Sequence, residues 1–202
     1  MKYYEAHLDL NHFGSMEAIK DLSDKHDLNC RIRSICGDDE RLFVINEGVG
    51  MTSVIVRTKE NHDWTSLPDR YLISPPRVRE VNLEIEVKDK INFEIVVNPT
   101  RSSKNEEGKS IRLALPKEDV PSWLLMKGEN LGFKPFIKSV SFAGTRRAKR
   151  GKTKHLAYKI SGSLFVEDVE KFEAMMTKGF GRAKFIGMGM MMINETSLGK
   201  EK

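Results

Sequence analysis

The chain has 202 residues, 39% of them apolar and 31% charged, with 34 Lys and Arg against 29 Asp and Glu, a net charge of +5 and a pI near 9.1. That length holds one sizeable core or two small ones. No apolar run is long enough to span a bilayer, no cleavable leader follows Met1, and Cys30 and Cys36 have no second pair or histidine cluster. A membrane span, a disulfide framework and a zinc quartet are therefore set aside in favour of a reduced, cytoplasmic protein.

In chain order, KYYEAHLDL (2–10) reads as a strand, and the following SMEAIKDLSDKHDLNCRIRSIC places Met16, Ile19, Leu22, Leu28, Ile32 and Ile35 at mostly helical spacing. Ser23 and Asp24 predict a cap between two helical segments, and Gly37 a stop. RLFVIN and TSVIVRT form a hairpin around EGVGM. Two adjacent prolines, Pro75 and Pro76, cannot sit inside a helix or a central strand, so they mark the expected boundary between a domain at 1–76 and another at 77–202.

Beyond the prolines, INFEIVVN is a strand, PTRSSKNEEGKSIR a polar, mobile loop, and PSWLLMKGENLG a helix. FIKSVSFAG and HLAYKISGSLFV are strands flanking a basic turn. VEDVEKFEAMMTKG is a helix with Val169, Phe172 and Met175 or Met176 on one face, and FIGMGMMMI a last strand. This β-α-β-β-α-β order predicts an α+β protein of two tandem ferredoxin-like units, the first with its second helix degenerate.

Three features carry chemistry. GFGRAKFIGMGMMMI (179–193) sets Gly179 and Gly181 beside Arg182 and Lys184, so that backbone N–H groups and cations can approach an anion; the bland reading is a tight connection into the last strand. Six cations without an acid, Arg146, Arg147, Lys149, Arg150, Lys152 and Lys154, sit where a hairpin tip would enter a nucleic-acid groove. His26, among polar residues and followed by Asn29, Arg31 and Arg33, can take and give a proton near neutral pH, although an isolated histidine is commonly a surface residue. Met190, Met191 and Met192 read as core, and no metal-ligating cluster or activated serine or cysteine stands out.

Several of these stretches resemble one family, the CRISPR-associated repeat-RNA endoribonucleases of the type I-E Cascade complex, known as CasE, of the RAMP superfamily. GFGRAKFIGMGMMMI is similar to its C-terminal glycine-rich loop, ISGSLFVEDVEKFEAMMTKG to the segment before it, INFEIVVNPTRSSK, GKSIRLALPKED and SWLLMKGENLGF to its second-domain entry, and DWTSLP to the end of its first domain. The resemblance implies metal-independent, cofactor-free cleavage at the 3′ base of a CRISPR repeat hairpin. It also implies retention on the guide RNA beside other Cascade subunits, the backbone subunit among them.

By the same resemblance, 146–154 matches the groove-inserting hairpin, and Gly179, Gly181, Arg182 and Lys184 match the loop beside the RNA backbone. The N-terminal helix departs from the pattern. The family has a tyrosine followed three residues later by the catalytic histidine; here Asp24-Lys25-His26-Asp27-Leu28-Asn29 puts His26 at the first position and Asn29 at the second. His26 is then the expected acid or base, with Asn29 orienting, Arg31, Arg33 or Lys184 steadying charge, and Tyr3, Tyr4 or Lys184 as a second proton donor. The alternative is a hairpin-holding subunit with impaired cleavage, because an amide does not exchange a proton at useful pH.

Overall fold

Strand β1 (Lys2–Leu10) turns Ala6, Leu8 and Leu10 into a core, and the chain then enters helices α1 (Met16–Ser23) and α2 (Lys25–Cys36). Their boundary is chemical: Asp24 takes an extended conformation, and its carboxylate accepts the His26 N–H at 2.9 Å. Gly37, at φ +61°, ends α2. These elements belong to a computed structural model that describes residues 1–37, 39–48, 51–147 and 154–193.

β2 (Arg41–Gly48) and β3 (Met51–Thr58) pair as the hairpin expected. A single 3₁₀ turn, Trp64–Ser66, stands where a second helix would be, with Trp64 buried. Strand β4 (Arg77–Asn82) follows the two prolines and pairs antiparallel with β1, giving a first sheet in the order β2-β3-β1-β4. The chain therefore leaves the first sheet after Asn82, not at residue 76.

The second unit runs β5 (Lys90–Val97), a hairpin of β6 (Thr100–Lys104) and β7 (Ser110–Ala114), α3 (Val120–Leu131), β8 (Phe133–Arg146), β9 (His155–Val166), α4 (Val169–Lys178) and β10 (Met191–Ile193). Its sheet has the order β10-β5-β9-β8, so each sheet, numbered within its own unit, reads 4-1-3-2, the ferredoxin-like arrangement. Two expectations change. The polar stretch 99–112 is a regular two-stranded hairpin, not a mobile loop. The last strand is only three residues, because 179–190 runs as turns around a 3₁₀ segment at Lys184–Ile186.

One core packs α3 and α4 on the second sheet, and another packs α2 on the first. A third lies between the sheets: Leu42, Val44 and Ile55 from the first and Val96 and Ala157 from the second enclose Ala183, Ile186, Met188 and Met190 of the glycine-rich segment. Behind it, buried Arg57 pairs with Glu5 at 2.8 Å and donates to the Met176 carbonyl at 3.2 Å, tying β3 to α4. Burial alone would raise the Glu5 pKa, but Arg57 and Arg79 outweigh it and hold the carboxyl below its ordinary value.

Candidate functional site

The glycine-rich segment is shaped by backbone geometry. Gly187, at φ +75°, passes against Ile45 and Phe43 of the first unit, where a Cβ would meet their side chains at 3.0 Å. Gly189, at φ +82°, would place a Cβ 2.2 Å from the Phe180 carbonyl oxygen. At Gly189 only glycine meets both demands at once, positive φ and contact with backbone. Folded this way, the segment buries its methionines between the sheets and leaves Arg182, Lys184 and Phe185 exposed.

That exposed edge faces α2 across an open cleft of about 490 Å³, lined by Asn29, Asp39, Glu40, Arg41, Leu42, Thr177, Lys178, Lys184 and Phe185. The Lys184 ammonium donates to the Lys178 carbonyl at 2.8 Å, at the negative end of α4, which fixes one cation at the rim. The acids are already paired, Asp39 with His62 at 3.0 Å and Glu40 with Lys59 at 2.7 Å. Beside these paired acids the cleft presents one amide and three cations, Arg41, Lys178 and Lys184. Such a lining suits a polyanion.

The structure thus brings Asn29 and Lys184 to one cleft. His26 sits one turn earlier on α2 and is not among the lining residues; its Nε2 lies 3.7 Å from the Cys30 Sγ. Arg31 points elsewhere, its Nε donating to Asp21 at 2.9 Å and its guanidinium over Tyr71. Arg33 is exposed near the helix end. Tyr3 is buried beneath the Arg57 guanidinium, 4.4 Å from its ring centre, and Tyr4 donates to Glu80, so both lie in settings of their own in the first sheet.

Arg146 departs most from its expected part. Instead of projecting at a hairpin tip, its guanidinium turns inward and donates to the carbonyls of Ile186 at 3.1 Å, Gly187 at 2.5 Å and Ile45 at 3.4 Å. Burial lowers its pKa from the ordinary value, with Glu47 acting in the opposite direction. It joins the base of the β8–β9 hairpin to the glycine-rich segment and to β2. Arg147 and Lys154 are exposed beside it, and Lys149, Arg150 and Lys152 lie outside the described residues.

Sequence reasoning missed Arg41, Lys178 and Phe185. Lys178 carried a weak signal as the last helical residue before Gly179. Arg41 carried none, since one cation opening a strand is unremarkable until the fold brings it to the cleft that Asn29 also lines.

Two tandem ferredoxin-like units meeting at a cation-lined cleft define the class of protein. The chain belongs to the CRISPR associated protein family, whose model matches residues 4–195. It is 26% identical over 155 residues to the CRISPR-associated endoribonuclease Cse3 of Thermus thermophilus, covering 69% of this chain and 72% of that one. Its fold is similar to Thermus thermophilus Cse3 bound to an RNA representing a pre-cleavage complex, with a TM-score of 0.79, 23% identity, and 96% and 100% of the two chains covered. It is also similar to a chain of a CRISPR RNA-guided surveillance complex, with a TM-score of 0.67, 16% identity, and 96% and 99% covered.

Proposed function

We propose that this protein is a CRISPR repeat-RNA endoribonuclease that binds the repeat hairpin, cleaves at the 3′ base of its stem, and stays on the product as a subunit of a Cascade complex. The observation that carries the reading is the cleft itself: α2 meets the glycine-rich segment across Asn29, Arg41, Lys178 and Lys184, in a chain of this family. The exposed Arg147 and Lys154, with the basic turn they flank, bind the stem by neutralising phosphates.

The reaction is metal-independent. The 2′-hydroxyl of the nucleotide before the cut loses its proton and attacks the adjacent phosphorus; the bond to the 5′-oxygen breaks, and that oxygen takes up a proton. The products are a 2′,3′-cyclic phosphate and a 5′-hydroxyl. His26 exchanges one of these protons after its ring leaves Cys30 and turns toward the cleft, three residues from Asn29 on the same helix face. The Asn29 amide orients a non-bridging oxygen, and Lys184 steadies the charge on the pentavalent phosphorus.

A second reading has one observation in its favour. Asn29, not a histidine, faces the cleft, and His26 does not line it. On that reading the protein holds the guide hairpin and cuts slowly or not at all.

Incubating the protein in EDTA with its end-labelled repeat hairpin, beside a copy with a 2′-deoxy before the cut, separates the two. Cleavage of the first alone is the expected outcome. Tight binding with neither RNA cut would overturn the nuclease and leave the holding subunit.

A further inference from the structure

Among the described residues, one buried side-chain polar atom has no hydrogen-bond partner: Nε of Arg41. Buried donors in folded proteins are nearly always satisfied, so an exception on a charged group calls for an acceptor that arrives from outside. The rest of this guanidinium is also lightly used. Its bond to the protein runs from Nη1 to the Asp39 carbonyl, at a long 3.4 Å.

The other arginines of the interior differ. Arg57 is held by Glu5 and the Met176 carbonyl, Arg31 by Asp21, and Arg146 by three carbonyls. Nor do groups near Arg41 supply its counterion. Asp39 is spent on His62 and on the Glu60 N–H, Glu40 on Lys59, and burial pushes the Cys36 thiol up to about 11, keeping it neutral. Arg41 opens β2 in the cleft that also presents Asn29, Lys178 and Lys184.

We propose that Arg41 seats a phosphodiester of the RNA backbone in this cleft, opposite Asn29. The planar guanidinium grips two phosphate oxygens through its Nε and Nη2 edge. Turning that edge outward breaks one hydrogen bond, the long one to Asp39. The inference rests on the reading of this cleft as the place where the RNA strand lies, and it adds the residue that holds a phosphate there.

The test uses the full chain, the uncleavable 2′-deoxy hairpin for binding and the all-ribose hairpin for single-turnover cleavage, with Arg41→Gln and Arg41→Lys. Arg41→Gln is expected to weaken binding about tenfold and to flatten the slope of log affinity against log salt by ~0.7 to 0.9, one phosphate contact. Arg41→Lys keeps the slope and recovers only part of the affinity, since an ammonium lacks the two-pronged grip. Thermal unfolding of the free variants should match the wild type.

Arg41→Gln with unchanged affinity and slope overturns the seat while leaving the nuclease intact. Wild-type binding without cleavage overturns the nuclease and leaves the seat to be judged on the binding arm. Failure of the wild type to bind the hairpin overturns both.

Discussion

The cleft has two walls of different construction. On the α2 wall the backbone is an ordinary capped helix, and on the proposed reading the outcome depends on which side chains stand at 26 and 29. On the opposite wall, 179–190, the side chains largely fill the space between the sheets, and the outcome depends on backbone turns that glycine permits. Substitutions on the first wall should alter chemistry with the fold intact. On the second they should alter the fold, and chemistry only as a consequence.

The strongest break of that contrast is at Gly189. Alanine there meets the Phe180 carbonyl oxygen at 2.2 Å and must hold φ near +82°, so backbone has to move. Gly189→Ala is expected to cost ~3 kcal/mol or more in urea unfolding, the range for strain at such a position combined with overpacking. A variant as stable as the wild type would remove the geometric account of this wall.

Asn29→His asks the reverse question of the α2 wall. Asn29 is half-buried at the cleft, and histidine in a helix differs little in propensity, so stability should change by under ~0.5 kcal/mol. Single-turnover cleavage should rise by roughly 10²-fold, the lower end of general acid–base contributions, because the imidazole then lines the cleft directly. If the rate does not change, His26 already supplies the proton transfer in full or the cleft is not where the strand is cut.

How far the sequence disclosed this design follows the range over which each signal acts. Asp24 and Gly37 bound α2 through hydrogen bonds a few residues long, and they are readable as text. The ferredoxin-like order was legible for the same reason, from periodicities within single elements. β4 and the β6–β7 hairpin were not: RVREVN exposes five of its six residues, and TRSSK with SIRLA buries none fully, so no apolar alternation marks them. Strand pairing across the sheet specifies them instead. The cleft was half legible, since Asn29 and Lys184 stood out and Arg41 did not. Charge runs also mislead about burial: Arg146 and Arg147 are neighbours in the text, yet one is enclosed by carbonyls and the other meets solvent.

That neighbouring pair gives the finest comparison, because the same residue type serves both constructions. Arg147 is an exposed cation beside the basic turn, so Arg147→Gln should remove a phosphate contact, lowering repeat-hairpin affinity a few-fold and flattening the salt slope by ~0.9 on duplex. Arg146→Gln removes the donor that holds the Ile186, Gly187 and Ile45 carbonyls. The salt slope should then stay at the wild-type value while unfolding stability falls by ~1 to 3 kcal/mol, the cost of leaving buried acceptors unsatisfied. Cleavage should slow in the same variant at saturating enzyme, because Lys184 and Phe185 lose the anchor beneath their segment. The pair is read by titrating both variants against one labelled hairpin at several salt concentrations. Equal slope changes would show that Arg146 swings out to the RNA, and the second wall would then be held by its glycines and methionines alone.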